Sequence, residues 1–263
     1  AIPFALLPTE DVSPARRPGE PLFAEYRRVP WLARTHAVAS VPSVAALVAL
    51  REQRTAPASK PFAGFGDPWF NDDHARSTRD QVAALSSANV VVRRNVRSIG
   101  DVSLDSRAIA SARLAKLNRL EETAEEVRAI ARTLGVEESG YVFLGARANE
   151  AQVKSMNLSD RRVVVFATHG LVPGDLDGLH EPALALANPE IAGVDGDGLL
   201  TMSEILDLRL NADWVVLSAC NTAAADGKGA EAMSGLTRAF FYAGTRAVLA
   251  THWAVETTSA TAL

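Results

Sequence analysis

Only one cysteine, Cys220, occurs in the chain, which rules out an internal disulfide and a cysteine-built zinc cluster. Histidine is almost as sparse. His36, His74, His169, His180 and His252 are scattered without the spacing of a zinc-protease helix, so neither a metal nor a cofactor is expected. Neither sign of charge dominates: a net charge of -4 and a pI near 5.8 provide no basic surface for nucleic acid or an anionic membrane. No apolar run reaches the roughly 18 residues that span a bilayer, and no basic-plus-apolar leader precedes the first apolar run. A reducing, cytoplasmic setting is the expectation. The first residue is Ala1 rather than Met, which suggests a piece of a longer protein.

What is present is an ordinary globular composition, 263 residues at 48% hydrophobic, enough for one large domain or two small ones. Short apolar runs bounded by turn residues predict strands at 2–7, 36–41, 62–65, 141–144, 163–167, 214–217 and 247–251. Helical periodicity lies between many of them. Asn118 reads as an N-cap, followed by Leu120, Ala124, Val127, Ala131 and Leu134 at core spacing, with Gly135 as the stop. Glu121, Glu122, Glu125 and Glu126 fall on the wet face and need no functional explanation. A capping-box pattern, Thr201-Met-Ser-Glu204, predicts a helix continuing to Asn211, and residues 230–242 predict another that ends at Gly244. Strand, helix and continuous apolar strand together predict parallel crossovers. Loops are expected at 8–21, 57–61 and 175–198, the last long enough to be functional. Residues 98–105 are the expected boundary between two halves, 1–105 and 106–263.

Two apolar runs end alike. Arg161-Arg-Val-Val-Val-Phe-Ala-Thr-His-Gly170 delivers His169, and Trp214-Val-Val-Leu-Ser-Ala-Cys-Asn-Thr222 delivers Cys220. By residue type alone an unpaired cysteine is more often a small packing residue than a nucleophile. Position changes that balance. In open parallel sheets chemistry collects at the carboxyl ends of the strands, where side chains enter a crevice and the N–H groups of the next turn are free. If the two strands are neighbours, a histidine suited to move protons near neutrality meets a thiol that must become thiolate to attack. Gly170 lets the backbone approach the reacting centre, so the N–H groups of Gly170 and Cys220 are candidate oxyanion donors.

Other motifs fail. Gly227-Lys-Gly229 lacks the rest of a phosphate-binding loop, and Asp195-Gly-Asp-Gly198 puts Leu199 where a calcium loop needs an oxygen ligand, so a turn is the better reading. No Gly-x-Ser-x-Gly elbow supports a serine hydrolase. His74, beside Asp72 and Asp73, reads as a solvated loop residue, and His36 as a strand residue with a hydrogen-bond partner.

Five ordered blocks resemble a known family: Phe166-Ala-Thr-His-Gly170, Asp197-Gly-Leu-Leu-Thr-Met-Ser-Glu204, Val216-Leu-Ser-Ala-Cys-Asn-Thr222, residues 229–242 and Val248-Leu-Ala-Thr-His-Trp-Ala-Val255. With Ile2-Pro-Phe-Ala-Leu-Leu7, Val41-Pro-Ser43 and Gly64-Phe-Gly-Asp-Pro68 upstream, the sequence is similar over most of its length to CHAT domains, caspase-like cysteine peptidases related to separase. The resemblance implies an α/β class fold, a caspase-like α/β/α sandwich with a mostly parallel central sheet, its N-terminal half a degenerate caspase-like subdomain. It implies a cysteine endopeptidase acting on protein or peptide substrates through a thioester, with His169 and Cys220 as the dyad and the Gly170 and Cys220 amides as the oxyanion site. It places Ala219, His252, Trp253, Ala254, Val255 and Glu256 at the substrate pocket, with Glu256 a candidate for selecting Lys or Arg. Family members commonly carry a further acidic residue there, and here Thr257 follows. Tetratricopeptide repeats or a regulator in the full-length protein are the expected partners. The alternatives are a non-catalytic interaction module on the same fold, or a peptidase latent until a partner rearranges residues 175–198.

Overall fold

Side-chain alternation along five short strands decides the architecture. The computed structural model describes residues 7–37, 56–85, 113–218 and 228–250, with single positions at 44, 48 and 111. In the order of the chain the elements are β1 (Lys60–Pro68), α1 (Asp72–Leu85), α2 (Glu122–Thr133), β2 (Val142–Gly145), α3 (Glu150–Ser155), β3 (Arg161–Ala167), β4 (Gly170–Leu171), β5 (Ala183–Ala185), α4 (Pro189–Ala192), β6 (Leu199–Thr201), α5 (Met202–Asp207), β7 (Trp214–Leu217), α6 (Lys228–Ala243) and β8 (Val248–Ala250). The main sheet runs β2-β1-β3-β7-β8, and every pairing in it is parallel.

Parallel strands covered on both faces must be apolar throughout, which explains the unbroken runs in β1, β3 and β7. Phe62, Val165 and Ala167 point to one face, where Val127 and Ala131 of α2 meet them. Ala63, Phe65, Val164, Phe166, Val215 and Leu217 point to the other, against Val153 of α3, Ile205 of α5 and Leu236, Ala239 and Phe240 of α6. Helices thus layer both sides of a parallel sheet, a mixed α/β fold of the caspase-like α/β/α kind. Phe62, Phe65, Phe166 and Phe240 are fully buried, each stabilising the fold by about 1.5–3 kcal/mol. β1 and α2 approach closely because Gly64 and Gly66 face the helix.

The chain divides into two compact units, Ala1–Arg54 and Thr55–Leu263. In the first, Pro8 bridges Trp31 in antiparallel sense, short 3-10 helices occupy Ala24–Arg28 and Leu32–Arg34, and Arg28 pairs with Glu20 at 2.7 Å. The expected boundary at 98–105 lies outside the described residues.

Several expectations change. His36 is not in a strand: it follows the turn at Leu32–Arg34, with Thr35 Oγ1 2.9 Å from its Nδ1, and residues 38–41 lie outside the described residues. Leu7 is likewise outside any strand, and 2–6 are not described. The helix expected from Asn118 starts at Glu122: 118–120 are irregular, and a turn in which the Thr123 N–H donates to the Leu120 carbonyl at 3.0 Å leads into it. Its capping-box successor forms as expected, with Thr201 and Glu204 bonding reciprocally, but it ends at Asp207, where Leu208 turns extended. The segment expected as one long loop carries β5, α4 and the middle of a small antiparallel sheet ordered β4-β5-β6, so the crossover from β3 to β7 is more than a single helix. Its apolar run, Ala183 to Ala187, is wholly buried.

Candidate active site

The register between β3 and β7 is what positions the site. Val163 pairs with Trp214, Val164 with Val215, Val165 with Val216 and Phe166 with Leu217. Partners are 51 apart in sequence throughout, as are His169 and Cys220. Both strands end together, and the Ser218 N–H still donates to the Phe166 carbonyl at 3.0 Å. Cys220 and Ala219 themselves lie outside the described residues, as do His252, Trp253, Ala254, Val255 and Glu256. His169 and Gly170 are described.

Past the end of β3 the chain is gripped by β5. Thr168 donates its hydroxyl to the Ala185 carbonyl, and the Ala185 N–H donates to the His169 carbonyl at 2.9 Å. That second bond makes Gly170 and Leu184 a non-hydrogen-bonded pair of the antiparallel ladder, so the Gly170 N–H is not consumed by β5. The His169 ring is half-buried, tilted at 40° to Phe70 with centroids 5.6 Å apart. Its Nε2 lies 2.8 Å from the Asn118 carbonyl oxygen. A carbonyl only accepts, so Nε2 carries the proton and, in the neutral ring, Nδ1 is the free base.

Sequence reading missed the groups behind this contact. Arg119, next to Asn118, donates from Nε and Nη2 to the two carboxylate oxygens of Asp67 at 2.8 and 2.7 Å, at the carboxyl end of β1. The carboxylate holds the guanidinium above its ordinary pKa, while burial pushes the Asp67 carboxyl up against the opposing pull of Arg119. His74 is on α1, half-buried, not in a solvated loop: its Nδ1 accepts the Phe70 N–H at 3.2 Å. Burial, with the charge of Arg119, pulls it below its ordinary pKa, which suits a neutral acceptor. No local motif announces the Asp67 and Arg119 pair, 52 residues apart; only the sheet order brings them together.

Glu126 is a further correction. It is half-buried rather than on the wet face, and its side chain bonds Ser218 just beyond β7. Burial pushes its carboxyl up. Away from His169 a half-open cleft is lined by residues including Arg113, Glu150, Asp177, Asp197 and Glu204. Among its lining residues Glu150 accepts the N–H groups of Asp197 and Gly198, both at 3.0 Å, in keeping with a turn at 195–198. Among the described residues no group of three or more His, Cys, Asp or Glu is placed to hold a metal ion. No helix among them is long and apolar enough to cross a membrane.

The family model of the CHAT domain matches residues 1–263, the whole chain. The chain belongs to the CHAT domain family. That family is caspase-like and peptidase-related, in keeping with the parallel sheet and its two helical layers. No curated protein and no solved structure matches the chain.

Proposed function

We propose that this CHAT domain is a cysteine endopeptidase in which His169 and Cys220 form the dyad. The observation that carries the reading is the His169 ring at the carboxyl edge of a parallel sheet, its Nε2–H given to the Asn118 carbonyl, one strand from the run that leads to Cys220. Such an imidazole offers Nδ1 to a thiol.

His169 takes the proton of the Cys220 thiol, and the thiolate sulfur attacks the scissile carbonyl carbon. The resulting oxyanion is received by the N–H groups of Gly170 and Cys220. Collapse of the tetrahedral intermediate breaks the C–N bond, and the imidazolium returns its proton to the leaving amine. Water, deprotonated by His169, then attacks the thioester, releasing the acid and regenerating the thiol. The Asn118 carbonyl holds the ring in orientation at each stage by accepting from Nε2–H.

The test uses the full chain. Cys220→Ala, folded as the parent is, abolishes cleavage of protein substrates, and iodoacetamide labels Cys220 at a rate that falls about 10²-fold or more in His169→Ala. An inert thiol in the folded parent would sink the reading and leave an interaction module on the same fold.

A further inference from the structure

The peptide plane that carries the Asn118 carbonyl also carries the Arg119 amide, and the Arg119 side chain is held more completely than any surface role requires. Its five N–H donors are all engaged: Nε with Asp67 Oδ1 at 2.8 Å, Nη2 with Asp67 Oδ2 at 2.7 Å and Thr78 Oγ1 at 2.6 Å, Nη1 with Ser77 Oγ at 2.6 Å and Glu121 Oε1 at 3.1 Å. Ser77 and Thr78 direct their own hydroxyl protons to the His74 carbonyl, which leaves their lone pairs for the guanidinium. The two charged side chains are only 10% and 8% exposed. Asp67 itself sits at φ +43°, a left-handed conformation uncommon for a residue with a Cβ, and its N–H is taken by Thr123 Oγ1 at 2.7 Å.

A buried ion pair adds little stability over apolar residues of the same volume, and one role open to it is to specify a geometry. Here the geometry specified is that of a backbone carbonyl. We infer that Asp67 and Arg119 are positioning residues for His169: their fork ties the end of β1, α1 and the start of α2 to the 118–121 link, and so fixes where the Asn118 carbonyl meets Nε2–H. Neither residue touches the reacting atoms. They act through the peptide between Asn118 and Arg119, which sets the tautomer and tilt of the imidazole. Its consequence for rate rests on the peptidase reading; its consequence for the histidine does not. Among the described residues the His169 ring meets the Asn118 carbonyl and the Phe70 ring, and His74 meets Phe70 edge to face with centroids 6.1 Å apart.

The experiment is histidine-selective nitrogen and carbon NMR of the full chain. His169 in the parent is the Nε2–H tautomer when neutral. Arg119→Lys keeps the charge and loses the fork, and Asp67→Asn keeps the shape and loses the charge. In both, the Nδ1–H tautomer gains population, because the acceptor for Nε2–H is no longer held. Thr78→Val, a milder change, shifts the tautomer ratio in the same direction by less. Ile205→Val, on the opposite face of the sheet, serves as a control for general loss of stability and leaves the ratio as it is in the parent. For cleavage, kcat of Arg119→Lys falls about tenfold or more with KM within twofold. Folded variants whose His169 tautomer ratio equals that of the parent overturn the inference, as does an equal shift in Ile205→Val. A parent that cleaves nothing defeats the peptidase reading, and the NMR result then decides this inference alone.

Discussion

Glu126 of α2 accepts a hydrogen bond from Ser218, the first residue beyond β7. The contact lies at the same edge of the sheet as His169, two positions before Cys220 in the chain. It places a carboxyl in partly desolvated surroundings, where burial raises its pKa above the ordinary 4.5 and the Ser218 bond only partly offsets the rise.

The sign of the pH dependence follows. A carboxyl whose native pKa is raised binds its proton more tightly folded than unfolded, so it favours the fold below the ordinary value. That advantage is lost as pH climbs from 4.5 through the raised native value, above which burial of the charge is a constant penalty. Glu126→Gln keeps an acceptor for Ser218 and removes the charge. The variant has a higher urea midpoint than the parent at pH 7, and the gap narrows as pH falls towards 4. A gap of constant size, or a variant weaker at pH 7, contradicts the assignment.

Glu150 makes a second prediction, for the segment between β3 and β7. Its carboxylate is 7% exposed, accepts from Asp197 and Gly198, and pairs with Lys154, so it pins the turn at 195–198 to α3. Glu150→Ala leaves the buried Gly198 N–H and the partly buried Asp197 N–H without their acceptor, at a cost of about 1–3 kcal/mol for the one water cannot reach. The expected result is a lower thermal midpoint and new proteolytic nicks within 193–198, with the β3 and β7 pairing retained. Unchanged protection of that turn would show that other contacts hold it.

These residues also show what a sequence discloses. The runs at 62–65, 163–167 and 214–217 are legible because a strand covered on both faces has no polar positions to blur it. The offset between the β3 and β7 runs is regular for the same reason, since a ladder without bulges carries one spacing along its paired length. The capping box at Thr201 is local chemistry and forms as read. Glu126 is not legible: helical periodicity gives its angle about the α2 axis, not how far the neighbouring strands extend beneath it. The pairing of Asp67 with Arg119 depends on sheet order and on the path of 118–121, neither of which leaves a periodic trace. Three-residue strands such as β5 and β6 are too short to rise above loop composition.

The tight approach at Gly64 is also the sharpest test of the β1 and α2 packing that carries Asp67 and Glu126. A Cβ added at Gly64 would lie 2.5 Å from Cγ1 of Val127 and 2.5 Å from the Phe62 ring. Neither neighbour can retreat freely: Val127 and Phe62 are fully buried, and Val127 is β-branched on a helix that restricts its rotamers. Gly64→Ala therefore forces α2 away from β1, destabilising by about 1–3 kcal/mol, or roughly 2–10 °C in thermal midpoint for a unit of this size. The displacement is relayed to Asp67, whose N–H is held by Thr123 at 2.7 Å one turn before Val127. Val127→Ala in the same chain reopens the space. The double variant recovers part of the lost stability, with a coupling energy of at least about 0.5 kcal/mol in a double-mutant cycle. Additive losses would mean that the strand yields rather than the helix, and that α2 does not bear on Gly64.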